Sequence, residues 1–212
     1  MIEAERAARR GPRPGALSAL QQRQRAASRG NILDAVRRLL VDRPFDAVAI
    51  EEVLAGAGVS RATFYRHFKS KDEVALALYE ETFANALGHF EALAGVGSDA
   101  AAWVEALVAI YRANGPVSHL ILLLGASDPR FHDRLRQDRH RLIDHLAPSI
   151  PAFAGTQGSS EAALRMRTRA DLLLLLLDRL CVEIAVHDAL PHRRLYIEQV
   201  AAELAAFLQQ QY

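Results

Sequence analysis

Lysine is almost missing from this chain: among 26 basic residues only Lys69 and Lys71 are lysines. Cysteine occurs once, at Cys181, which excludes an internal disulfide. The longest apolar runs, Leu172 to Leu177 and Leu120 to Leu124, are far too short to span a bilayer, and Asp171 and Asp178 bracket the first. The N-terminus is basic but has no apolar stretch before a cleavage site, so no signal peptide is expected and a cytoplasmic, non-membrane protein is. There is no GxSxG, GxGxxG, P-loop or HExxH. His132, His140 and His145 share one expected helix at spacings of 8 and 5, which do not stack ligands one turn apart. The adjacent pairs Glu51-Glu52 and Glu80-Glu81 point to different faces and make no acid/base couple. No metal, no cofactor and no enzymatic activity are expected.

Helix formers and periodic apolar residues fill the chain instead. Half of the 212 residues are hydrophobic, strand signals are scarce, and Ala, Leu, Arg and Glu dominate, so the expected class is all-α. Charge is unevenly spread. Residues 1–71 hold 14 Lys and Arg against 7 Asp and Glu, whereas residues 72–212 hold 12 against 18. A basic first third on an acidic remainder is the footprint of a nucleic-acid-binding head on a body that does not bind it.

The stretch Ile50 to Lys71, IEEVLAGAGVSRATFYRHFKSK, carries the strongest signal. Ile50, Val53, Leu54 and Ala57 form one stripe at helical spacing. Gly58 stands where a sharp turn favours positive φ, and Ser60 is an N-cap candidate. A second helix over Arg61 to Phe68 turns Phe64 and Phe68 inward. Arg61, Ala62, Thr63, Tyr65, Arg66 and His67 then lie on its outward face and flanks. That is a helix-turn-helix, whose second helix enters the major groove of DNA. Lys71, after that helix, is expected to meet phosphate. Arg61 and Arg66 are the candidates to read guanine.

With these residues the chain from Arg29 to Glu81 resembles the N-terminal domain of TetR-type transcriptional repressors. The match rests on ILDAVRRLL, on FDAVAIEEVLAGAGVS, and on RATFYRHFKSKDEV with Phe64-Tyr65, Phe68 and Ser70-Lys71-Asp72. VDRPF, Trp103 and the long late helix are most similar to the branch containing the mycobacterial ethionamide-activation repressor. One departure is Ala49, where the family usually has a capping Thr or Ser.

The organisation follows. Residues 1–21 are expected to be a flexible basic tail that tracks a phosphate backbone, enters a minor groove, or does neither. Residues 22–71 would be the three-helix DNA-binding domain. Residues 72–212 would be a helical-bundle ligand-binding and dimerisation domain, with a polar loop over Pro151 to Ser160. Leucine at every position from 172 to 177 needs cover on all sides, which one subunit can hardly supply. A homodimer is therefore expected through the helix over 161–187 and the last helix, whose stripe is Leu195, Val200, Leu204 and Phe207. A two-fold dimer would sit on a palindromic double-stranded DNA operator. The resemblance further implies a ligand pocket in the body. Its candidate liners are Trp103, Leu107, Tyr111, Phe131 and Leu177, an apolar set suited to a hydrophobic small-molecule effector. A helical small-molecule carrier or sensor without operator recognition is the rival reading.

Overall fold

The computed structural model describes residues 19–96, 99–188 and 190–210. Most of the expected tail lies outside the described residues, and from Ala19 the chain is already helical. All regular structure among the described residues is helical: α1 (Ala19–Leu39), α2 (Ile50–Ala57), α3 (Arg61–His67), α4 (Lys71–Glu91), α5 (Ala100–Ala113), α6 (Gly115–Ser127), α7 (Pro129–Leu146), the single turn α8 (Pro151–Ala154), α9 (Glu161–Ala185) and α10 (Arg193–Leu208). No single helix among them is long and apolar enough to cross a membrane.

Local chemistry sets the boundaries. Gly58 ends α2 in the left-handed region, at φ 63° and ψ 35°, where a side chain would be strained. The Ser60 hydroxyl accepts the Thr63 amide and starts α3. Ser70 accepts the Glu73 amide and starts α4. Asp128 accepts the Arg130 amide ahead of Pro129 and starts α7. At α2, Ala49 offers no side-chain oxygen, but Glu52 reaches back to the Ala49 amide at 3.1 Å, so half of a capping box survives.

Two apolar cores result. The head core gathers Ile32, Leu33 and Val36 of α1, Val53 of α2, Phe64 and Phe68 around α3, and Val74 and Leu78 of α4. Val117 and Leu120 of α6 join it. The expected boundary at residue 71 therefore cuts through a shared core, because α4 begins in the head and α6 returns to it. The body core joins α5, α7, α9 and α10, with Phe153 packed edge-on against Phe207 at 5.0 Å. Phe153 belongs to the segment expected to be a polar loop. It, Ala152 and Thr156 are buried instead, since the turn of α8 folds that segment under α10. Gly125 permits a close crossing of α6 and α7: a Cβ there would stand 2.8 Å from the end of Leu135.

The last two helices distribute their apolar residues differently from the expectation. Leu173, Leu174 and Leu177 of α9 are buried, whereas Leu172 is 60% and Leu176 44% exposed. On α10, Val200, Leu204 and Phe207 point into the body core, and only Leu195 of the expected stripe is exposed, next to exposed Tyr196. The helix turns Leu195 away from the other three, so that stripe is not one surface.

Candidate nucleic-acid face and body cavity

The head presents α3 on its surface. Phe64 and Phe68 anchor it from below, with ring centroids 6.0 Å apart. The Arg29 guanidinium lies 5.4 Å over the Phe68 ring. Ala62, Tyr65 and Arg66 are exposed, Tyr65 by 44%, and its ring stands edge-on to Phe64 at 5.4 Å. Thr63 is half-buried, and its hydroxyl accepts from Ser60 at 3.0 Å. Arg61 is exposed but ion-paired with Glu51 of α2.

Two of the expected contacts are engaged within the protein. Lys71 donates from Nζ to the carbonyls of Phe45 (2.7 Å), Val48 (2.9 Å) and Asp46 (3.3 Å), and sits 4.7 Å over the Phe45 ring. An ammonium has three protons, and all three are taken. Lys71 thus ties the loop before α2 to the start of α4, which spacing alone could not reveal. His67 is half-buried, and its Nε2 is hydrogen-bonded to the Ser28 hydroxyl at 2.8 Å. Burial, then the charges of Arg66, Arg25 and Arg29, pull its pKa below the usual histidine value. Lys69 is exposed, and its ammonium has no partner among the described residues.

A cavity of about 560 Å³ occupies the body. It is walled by α4, α5, α6, α7 and α9. Of the five candidate liners, Leu107 and Tyr111 line it. The other three pack elsewhere. Trp103 stacks on His89 at 4.4 Å and donates its indole N–H to the His89 carbonyl at 2.9 Å. Phe131 packs on Tyr79 at 5.7 Å, and Leu177 lies in the body core. Periodicity marks a residue as inward but does not say whether it meets a neighbour or a void.

The cavity is less uniformly apolar than expected. Asp178 and Arg139 line it beside Tyr79, Tyr111 and His132. The Tyr111 hydroxyl donates to Asp178 at 2.6 Å. Arg139 is held by Asp171 at 2.6 Å. Asp178 is accessible to a water-sized probe, yet enclosed closely enough that loss of hydration pushes its carboxyl above the usual range, against the lowering pull of Tyr111, Arg139 and Arg179. The signal in the sequence was the break that Asp178 makes in an apolar run.

α4 and α6 join these two places. α4 puts Val74 and Leu78 into the head core and Thr82, Phe83, Ala86 and Phe90 on the cavity wall. α6 puts Val117 and Leu120 into the head core and Ile121, Leu122 and Gly125 on that wall.

Comparison with known proteins agrees with this architecture. The family model "Bacterial regulatory proteins, tetR family" matches residues 32–78. YwcC of Bacillus subtilis, an uncharacterized HTH-type transcriptional regulator, is 42% identical over 60 residues, 28% of this chain and 27% of YwcC. AlkX of Mycobacterium tuberculosis, an HTH-type transcriptional regulator, is 29% identical over 138 residues, 62% of this chain and 64% of AlkX. The chain thus matches less than two thirds of the length of either curated relative. Among solved structures, GusR of Salmonella enterica has the same fold: TM-score 0.65 at 23% identity, over 86% of this chain and 96% of GusR. Residues 32–78 thus match the DNA-binding domain of the tetR family of bacterial regulatory proteins, and the rest of the chain shares the fold of GusR.

Proposed function

We propose that the protein is a homodimeric transcriptional repressor that binds a palindromic operator and is released by a small-molecule effector. One observation carries the reading: α4 and α6 each insert into the head core at one end and line the body cavity at the other. A ligand that prefers a different arrangement of the cavity walls must then move the heads, by as much as its affinity for the two arrangements differs.

Exposed Ala62, Tyr65 and Arg66 of α3 form the surface for the major groove. Arg61 reaches a base only by exchanging Glu51 for it, and Thr63 by turning its hydroxyl from Ser60. Lys69, rather than Lys71, takes the phosphate role, since its ammonium has no partner among the described residues. His67 braces α3 against α1. Exposed Leu172 and Leu176 of α9 and Leu195 and Tyr196 of α10 form the apolar surface for the second subunit. Two-fold symmetry would set the recognition helices about 34–36 Å apart.

The test is a gel shift on the DNA upstream of the protein's own gene, at two salt concentrations and against scrambled competitor. Specific binding that weakens with salt and disappears in Tyr65→Ala, with folding intact by circular dichroism, is the expected result. Equal affinity for scrambled DNA at every promoter tried would sink the repressor reading.

A further inference from the structure

We infer that the body cavity selects an organic cation: an ammonium head at the Asp178 carboxylate, beside the rings of Tyr111 and Tyr79, with an apolar body along the walls of α4 and α6. The inference rests on the reading of this cavity as an effector chamber and adds the chemical class of the effector.

The argument begins with charge pairing. Every other carboxylate near the cavity has an arginine. Asp171 holds Arg139 at 2.6 Å. Asp138 holds Arg134 at 2.6 Å and Arg141 at 2.8 Å. Glu80 holds Arg134 at 3.0 Å. Asp178 has no ion pair among the described residues; its one hydrogen bond comes from a neutral phenol, Tyr111, at 2.6 Å on Oδ1. Its second oxygen accepts no hydrogen bond among the described residues. Asp178 is reached from the cavity, has lost part of its hydration and pairs with no cation, so a positive group brought by a ligand gains more there than in water.

The surroundings suit a cation and not an anion. Arg139, the arginine on the cavity wall, is already neutralised by Asp171. Arg179 is paired with Glu183. His132 has its ring Nδ1 3.3 Å from the Gly125 carbonyl, towards the far end of α6. Tyr79 lies near enough that the charge of Asp178, after burial and Asp138, helps to push its phenol up. A carboxylate on a wall that also carries aromatic rings is the chemistry that holds ammonium groups. Phe83 and Phe90 continue the aromatic wall from Tyr79 along α4 and supply apolar surface for the remainder of the ligand.

The experiment compares octyltrimethylammonium, octanoate and octanol, which share a chain and differ in head charge, by isothermal titration on the full-length protein. The cation should bind about tenfold more tightly than octanol or better, and octanoate more weakly than either. Asp178→Asn should bring the cation down to octanol's affinity and leave octanol unchanged. Tyr111→Phe, which keeps the carboxylate, should keep the cation's preference. Should Asp178→Asn fail to fold, the ranking in the unaltered chain decides. Octanoate binding best would make Arg139 the selecting charge and overturn the inference, as would equal binding of cation and octanol. Binding of none of the three overturns the effector chamber as well. Cation binding that depends on Asp178 but leaves operator affinity unchanged supports this inference and overturns the regulatory reading instead.

Discussion

Glu80 and Glu81 are neighbours on α4, yet they hold arginines from opposite ends of the molecule. Glu80 pairs with Arg134 of α7 at 3.0 Å, in the body. Glu81 pairs with Arg37 at 2.6 Å and Arg29 at 3.1 Å, both on α1 in the head. Successive helix residues diverge by about 100°, so one helix turns adjacent carboxylates towards two different partners. The pair that could not serve as an acid/base couple works as a bracket between head and body.

Glu81→Gln should loosen the head without unfolding the protein. These groups are about one-third exposed, so solvent screens them and the loss should be only about 0.5–1 kcal/mol. Amide hydrogen exchange in α1 should quicken while α9 stays protected. Unchanged exchange in α1 would mean that the head's apolar core alone sets its position.

The two lysines should behave as opposites. Lys71→Met leaves the carbonyls of Phe45, Asp46 and Val48 without their shared donor and should destabilise the head by about 1–3 kcal/mol. Lys69→Met should leave stability unchanged and lower the salt slope of DNA binding by about one. Urea unfolding and salt titration read the two effects, and a Lys71→Met protein of full stability would refute the clamp.

A double substitution, Leu172→Asp with Leu176→Asp, should yield folded monomers in analytical ultracentrifugation. Both side chains are exposed on the outer face of α9 and contribute little to the subunit's own core. Leu175 also sits on the cavity wall, so substitution there would confuse ligand binding with assembly. A dimer that survives the double change would remove α9 from the interface.

His67 should make stability fall on acidification. Its folded-state pKa is depressed below the usual 6.5, chiefly by burial and then by neighbouring arginines. The unfolded chain therefore takes up its proton first, and stability declines as pH falls through 6.5, levelling off below the folded-state value. His89 has a depressed pKa too, from burial opposed by its hydrogen bond to the Trp103 backbone, and contributes in the same direction. His67→Gln should flatten part of this decline; an unaltered pH profile would show that His67 carries no such linkage.

The head was legible from residue order because its signals are local. The stripe Ile50, Val53, Leu54 and Ala57, the turn at Gly58, the Ser60 cap and the inward pair Phe64 and Phe68 all act within one or two helical turns. Backbone sterics and capping chemistry decide them before any distant contact forms. The all-α class followed from the same local reasoning. What residue order could not decide was which partner each polar group finds. Lys71 looked free and is clamped by a loop 23 to 26 residues earlier. Trp103, Phe131 and Leu177 looked like cavity walls and are packed against neighbours. Val200, Leu204 and Phe207 looked like an interface and are core. Asp178 looked like the polar end of a leucine run and faces the cavity. Each of these outcomes depends on where separate helices cross, which is set by side-chain packing between segments far apart in the chain.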